Sequence, residues 1–586
     1  MSRRSLRRVA TLCAVLATSV LAAACAMSPA ERAGLRPALP VEAEPELQPA
    51  PGPQSSLYGL FLAGEAALEN GSSRDAAYFL GQVSERAPEA AFLKERAFTA
   101  ALIAGDVERA AIMAPGPDEG TPATRRLGQL TQAVDLMARG EAAEASAILA
   151  AAPTTGSTGS TVLLLRGWAA AMAGDWDAAV EPVVSDSRLT RLFGALSRAK
   201  LLERSRRYAE AEAAYRVLNP AGENGMFVLA HGAFLERRGR RAEAVAVYDR
   251  GLARTSDLLM EYARARARAG RGAPPLGSLA RGAAEMMLAP AALQMSRREP
   301  EVALALLRLS LRLAPDYDEA WLLVGDSMAA AGDQTAARDA HNRVRPTSPE
   351  YGTAQSRIAW ALQEGGDPEG ALRLAREEVD RSRASAQSLS LYADLLRQNE
   401  RYAESIEVMG RLIRRTPEGT DAWRLYFTRG VALERLGLWD QAEIDLQKAL
   451  TLQPEEPDVL NYLGFGWADR GQRLEEALVL LVKAAELRPQ SGEIRDSLGW
   501  VRFRLGDYEQ AVTDIERAVA LAPADPAIND HLGDAYWAVG RRLEAEYQWR
   551  RVLTLDPDMP LRQSVEAKLK TRSEGAGALA SAGSVQ

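Results

Sequence analysis

The chain has 586 residues, more than one hydrophobic core sustains, and 47% of them are hydrophobic, which excludes a disordered polymer. Its formal net charge of -7 gives no basic surface of the kind that nucleic-acid binding needs. The two cysteines, Cys13 and Cys25, both stand near the start, so the rest of the chain holds no disulfide and no thiolate metal site.

Arg3, Arg4, Arg7 and Arg8 precede an apolar stretch from Val9 to Leu21. That stretch is too short to cross a bilayer and has the length of a signal-peptide apolar region. Residues 1–24 are therefore expected to be an export signal. Ala22-Ala23-Ala24 followed by Cys25 resembles the bacterial lipobox, with Leu21 one step further from the cysteine than that family's usual leucine. The resemblance implies cleavage before Cys25 and lipidation of its thiol. An ordinary A-x-A cleavage site is the alternative, and it would leave a soluble periplasmic protein. Ala26, where an aspartate would signal inner-membrane retention, implies the periplasmic face of the outer membrane. Residues 25–54 hold Pro29, Pro37, Pro40, Pro45, Pro49, Pro51 and Pro53 and read as an extended tether, at about 3.1 Å per residue.

From residue 55 onward one phrase recurs. Pro489, Pro523 and Pro557 are spaced by 34 residues, and Leu498-Gly499 and Leu532-Gly533 keep the same step. A fixed period with small residues at fixed offsets marks a helix-turn-helix array. Fourteen small residues carry the register: Ala76, Ala110, Ala145, Ala179, Ala211, Ala244, Ala303, Ala337, Ala371, Ser405, Ala442, Ala477, Ala511 and Ala545. Glycine stands twelve residues before many of them, as at Gly64, Gly232, Gly430, Gly499 and Gly533. A turn glycine usually precedes the small residue, with Arg206, Arg298 and Glu400 in its place in three repeats. An extra residue between Gly464 and Ala477 predicts a longer turn around Arg470-Gly471-Gln472.

This pattern resembles tetratricopeptide (TPR) repeats. The resemblance implies an all-α TPR solenoid, a superhelix of antiparallel helix pairs with about fourteen repeats in two segments, forming an extended curved ribbon. The expected segments are 55–253 and 284–557. Between them, 254–283 reads as an irregular or degenerate repeat, because Arg271-Gly272-Ala273-Pro274-Pro275 must break a helix. Residues 558–586 read as a capping helix followed by a disordered Gly/Ala/Ser-rich tail.

In TPR arrays the first helix of each pair faces a concave groove. Carried onto the three most regular repeats, the groove positions are Asn461 and Phe465, then Asp496, Trp500, Phe503 and Arg504, then Asp530, Asp534 and Trp537. The aromatics suit anchoring a protein partner, and the Asn/Asp series suits a peptide backbone. The competing reading packs Trp500 and Trp537 between helices.

No catalytic constellation is legible. His231, His341 and His531 are scattered, and no H-E-x-x-H, G-x-x-x-x-G-K-S/T or G-x-S-x-G motif occurs. The expectation is a protein that is not an enzyme, with no metal, no cofactor, no nucleic acid and no small-molecule substrate. The stretches Asp458–Gly464, Asp496–Trp500 and Asn529–Trp537 resemble a group of proteobacterial TPR lipoproteins. That group includes the outer-membrane adaptor of a periplasmic carboxyl-terminal processing protease. The resemblance implies a lipid-anchored scaffold that recruits a periplasmic protease or cell-wall enzyme. The alternative is a TPR assembly factor for an envelope export, pilus or outer-membrane assembly machine.

Overall fold

The computed structural model describes residues 56–116, 118–218, 225–255, 257–382, 385–416 and 422–582. The export signal, Cys25 and the tether lie outside the described residues. Among the described residues there are thirty α-helices and no strand. No helix among them is long and apolar enough to cross a membrane.

The repeat register explains the pairing. All fourteen small register residues are at most 2% exposed, and each lies in the second helix of a pair. The glycine on the first helix makes the approach possible. A Cβ on Gly64 would stand 2.6 Å from Leu80 Cγ, and one on Gly499 would stand 2.3 Å from Ile515 Cγ1. Any side chain there would push the two helices apart. The turns end each first helix with a left-handed residue, which satisfies its last carbonyls. Arg206 (φ 62°), Arg298 (φ 62°) and Glu400 (φ 58°) adopt that conformation without being glycine. The extra residue after Gly464 is absorbed by two left-handed positions, Gly471 (φ 65°) and Arg473 (φ 45°).

The chain divides into two compact units within the helix Tyr351–Glu364, between Arg357 and Ile358. This differs from the division expected at 254–283. That segment contains the helix Leu258–Arg268, started by Asp257, whose carboxylate accepts from Met260 N at 3.1 Å. It is tied down by Arg266, which donates to the buried Glu236 at 2.6 Å. The proline pair then does what it must: no regular structure forms until Ser278 caps the helix Leu279–Ser296.

The first unit is not an open ribbon. The helix Pro300–Leu313, PEVALALLRLSLRL, is apolar on nearly every side, and residues Ala303 to Leu311 are all buried. Such a helix needs cover all round, which one partner cannot give. Leu279–Ser296 covers one side. The helices Ala91–Ala104, Val107–Ile112 and Pro122–Arg139, about 200 residues upstream, cover another. Arg308 Nε donates to Ile103 O at 3.0 Å, and Arg312 pairs with Asp135 at 2.8 Å. Leu279–Ser296 packs in turn on Gly159–Met172, where Gln294 Nε2 donates to Ser157 O at 2.7 Å. The circuit closes where Ser73 N donates to Asp333 Oδ2 at 3.0 Å and Arg74 meets Asp339 at 2.6 Å.

In the second unit, helix pairs stack in sequence order. Successive first helices, Pro457–Arg470, Gly492–Leu505 and Pro526–Ala538, touch one another and so form its inner face. The helix Met559–Ala582 ends the stack on Arg542–Thr554, with Val565 fully buried. It runs through much of the Gly/Ala/Ser-rich stretch expected to be disordered.

Candidate functional site

The inner face of the second unit is set by three first helices with defined starts and stops. Ser491 Oγ accepts from Ile494 N, and Asp525 Oδ1 accepts from Ala527 N and Ile528 N at 2.9 and 3.1 Å. Pro457 and Pro526 open their helices, where a missing N–H costs nothing. Gly471 and Gly506 close two of them in the left-handed conformation. These limits hold the face-forming residues in one register from repeat to repeat.

Five of the nine expected groove residues converge: Asp496, Trp500, Phe503, Asp530 and Asp534. Trp500 stacks on Phe503, with centroids 4.9 Å apart, and on His531 at 4.2 Å. His531 Nδ1 lies 2.8 Å from Asp496 Oδ2. Asp530 and Asp534 both receive Lys568 Nζ. Asn461 and Phe465 lie half-buried on the preceding helix, one turn apart. Asn461 Oδ1, Asp496 Oδ1 and Trp500 Nε1 are buried polar atoms without a hydrogen-bond partner.

The other two belong elsewhere. Arg504 reaches back to the previous turn, where Nη1 donates to Asp469 O at 2.6 Å. Trp537 packs within its own repeat, 5.5 Å from the Trp549 ring and under the Arg542 guanidinium at 3.7 Å. Trp500 packs between helices, because its stacking partner His531 comes from the next first helix.

Two central residues were not singled out from the sequence. His531, one of three histidines scattered along the sequence, links Asp496 to the Trp500 ring. Lys568 stands 34 residues beyond Asp534, itself 34 beyond Trp500, so one more step of the period would have found it. The cluster is electrostatically coupled. Burial alone would depress the His531 imidazole, but Asp496, with Asp530 and Asp534 behind it, raises it above its ordinary value. Burial and the neighbouring Asp534 push the Asp530 carboxyl up, and Lys568 opposes them. Among the described residues no group of His, Cys, Asp and Glu has the arrangement of a metal site. The arrangement offers stacking surfaces and hydrogen-bond acceptors.

The tetratricopeptide repeat family model matches residues 286–351, 356–420, 393–457 and 497–560. With the helix pairing above, the fold is an all-α TPR solenoid, an architecture that serves as a protein-interaction scaffold. A TPR repeat-containing protein of Pseudomonas aeruginosa is 29% identical over 203 residues, 34% of this chain and 34% of that protein. A lipoprotein NlpI homolog of Haemophilus influenzae is 55% identical over 40 residues, 7% of this chain and 13% of its own length. The chain thus matches about a third or less of these curated relatives. Among solved structures, the APC/C hetero-tetramer Cut9–Hcn1 contains a chain 14% identical to this one. That match covers 88% of this chain and 96% of the other, at a TM-score of 0.36. A tetratricopeptide repeat protein from Parabacteroides merdae is 15% identical, covering 42% and 96%, also at 0.36.

Proposed function

We propose that this chain is a non-enzymatic adaptor, anchored through a lipid on Cys25 to the periplasmic face of the outer membrane. It holds a periplasmic protease or cell-wall enzyme on the inner face of its second unit. The carrying observation is the contrast between the two inner faces. In the first unit the helices Leu279–Ser296 and Pro300–Leu313 cover the first helices Ala91–Ala104, Pro122–Arg139 and Gly159–Met172 with the chain's own apolar side chains. In the second, among the described residues, the face presents Trp500, Phe503 and Phe465 beside buried acceptors that lack donors. Unmet acceptors and flat aromatic surface are what a peptide segment satisfies. The short match to a lipoprotein and the small residues before Cys25 support the anchor.

The test is a crosslinking capture from envelope fractions with the wild-type chain and with Trp500→Ala, its fold checked by circular dichroism. A periplasmic protease or cell-wall hydrolase captured by the wild type and lost in the variant is expected. Equal capture by both would overturn the groove. Capture of export or pilus components instead would overturn the choice of partner. Cys25→Ser should release the chain from the membrane, and unchanged membrane association would refute the anchor.

A further inference from the structure

The acidic end of the second unit's inner face already holds a cation, and that cation belongs to the chain itself. Lys568 Nζ lies 2.8 and 2.9 Å from the two oxygens of Asp530 and 2.7 and 2.8 Å from those of Asp534. It arrives on the terminal helix Met559–Ala582, which rests on Arg542–Thr554 through Leu561, Val565 and Leu569. The register makes this more than a surface ion pair. Trp500, Asp534 and Lys568 are successive steps of the 34-residue period, so the terminal helix stands where a further first helix would stand. It brings Lys568 to the carboxylates of Asp530 and Asp534.

Lysine fits this seat incompletely. An ammonium has three donors, and the contacts to Asp530 and Asp534 use them. The third carboxylate of the cluster, Asp496, is 6% exposed, and its Oδ1 has no partner. His531 meets only the other oxygen, Oδ2. A guanidinium carries five donors in a planar fork and satisfies carboxylates in pairs.

Resting on the reading of this face as the partner site, we propose that its acidic end seats an arginine side chain of the protein partner. Lys568 occupies the seat when no partner is bound, and docking displaces the terminal helix. The helix is thereby a built-in competitor. A segment that brings a guanidinium competes with it, and one that also brings apolar surface for Trp500 and Phe503 competes better.

The experiment is calorimetric titration of the full chain with acetyl-triarginine amide, acetyl-trilysine amide and acetyl-triglutamate amide. Triarginine should bind more tightly than trilysine, and triglutamate should not bind. Lys568→Gln, which keeps most of the aliphatic stem, should tighten triarginine binding at least tenfold. Adding Asp530→Asn should remove that gain. Equal binding by Lys568→Gln and wild type, or a gain that survives Asp530→Asn, would overturn the proposal. Its failure is separable from failure of the groove itself. If Trp500→Ala loses the captured partner while Lys568→Gln changes neither capture nor titration, only the competing role of the terminal helix falls.

Discussion

Asp333 holds two backbone N–H groups that are 263 residues apart: Oδ1 accepts from Ala336 at 2.8 Å and Oδ2 accepts from Ser73 at 3.0 Å. The first bond caps a helix in the ordinary way. The second fastens the first repeat of the unit to the repeat containing Gln334–His341. One carboxylate thus serves a local turn and the closure of the circuit. Asp333 is 7% exposed, so neither bond is exchanged cheaply for water.

Asp333→Ala should cost more than loss of a cap. A lost cap costs about 1 kcal/mol, and a stranded buried donor adds about 1–3 kcal/mol. Asp367→Ala, which removes a carboxylate that caps only Gly370 N, is the matched control. Hydrogen exchange should quicken in both Ser73–Arg86 and Gln334–His341 for Asp333→Ala. A response confined to the second helix would show that the closure adds nothing.

The pH dependence of the second unit should carry the mark of His531. Its value is raised above the ordinary 6.5. A group raised on folding contributes stability that is complete below its unfolded value and is lost as pH rises through the folded one. The groups facing it are Asp496, Asp530 and Asp534, with Lys568 on the last two. Asp530 is also raised, by burial and by Asp534, with Lys568 opposing, so Asp530→Asn is the control that separates its contribution from that of His531. Thermal unfolding should therefore show a decline in stability from about neutral pH upward in wild type. His531→Gln should flatten it, and an unchanged slope in that variant would refute the assignment.

The left-handed turn residues show how much of the fold was legible. Every turn glycine read from the sequence adopts positive φ, and so do the three substitutes named with them. This was readable because a turn needs one conformation, whatever residue supplies it. The fourteen register residues were readable for a similar reason: a small side chain at a helix crossing has one purpose. The second set of partners for Pro300–Leu313 was not readable in practice. Periodicity assigned Ala303 to a repeat, but a 34-residue window does not say that the other faces of that helix meet residues near 103 and 135. Its apolar residues on all sides were the available signal. At the cluster around Trp500, the partners of the expected residues were not readable, because His531 and Lys568 act across repeats.

Arg206→Gly, Arg298→Gly and Glu400→Gly should each stabilise their unit. All three side chains are exposed, so little contact is lost. A left-handed non-glycine residue costs about 1–2 kcal/mol, against about 0.5–1 kcal/mol of chain entropy returned by glycine. A net gain of about 0.5–1 kcal/mol per site follows, readable as a higher urea midpoint with unchanged slope. A lower midpoint in any of the three would mean that the native side chain makes a contact worth more than its strain.

Arg266 and Arg268 are two residues apart, on opposite sides of their helix, and should behave in opposite ways. Arg266 is 17% exposed and meets Glu236, whose side chain is fully buried and also receives Tyr248 Oη at 2.7 Å. Arg268 is 56% exposed and meets the exposed Asp249 at 3.2 Å. Removing one member of a buried pair strands the other charge, at about 3–5 kcal/mol, whereas an exposed pair is worth about 0–1 kcal/mol. Arg266→Ala should therefore unfold the first unit far more readily than Arg268→Ala. Adding Glu236→Gln to Arg266→Ala should recover most of the loss, since a neutral amide still accepts from Tyr248 without a charge to balance. Chemical denaturation of the four chains measures this directly. Equal losses for the two single variants would show that Leu258–Arg268 is not held by its buried ion pair.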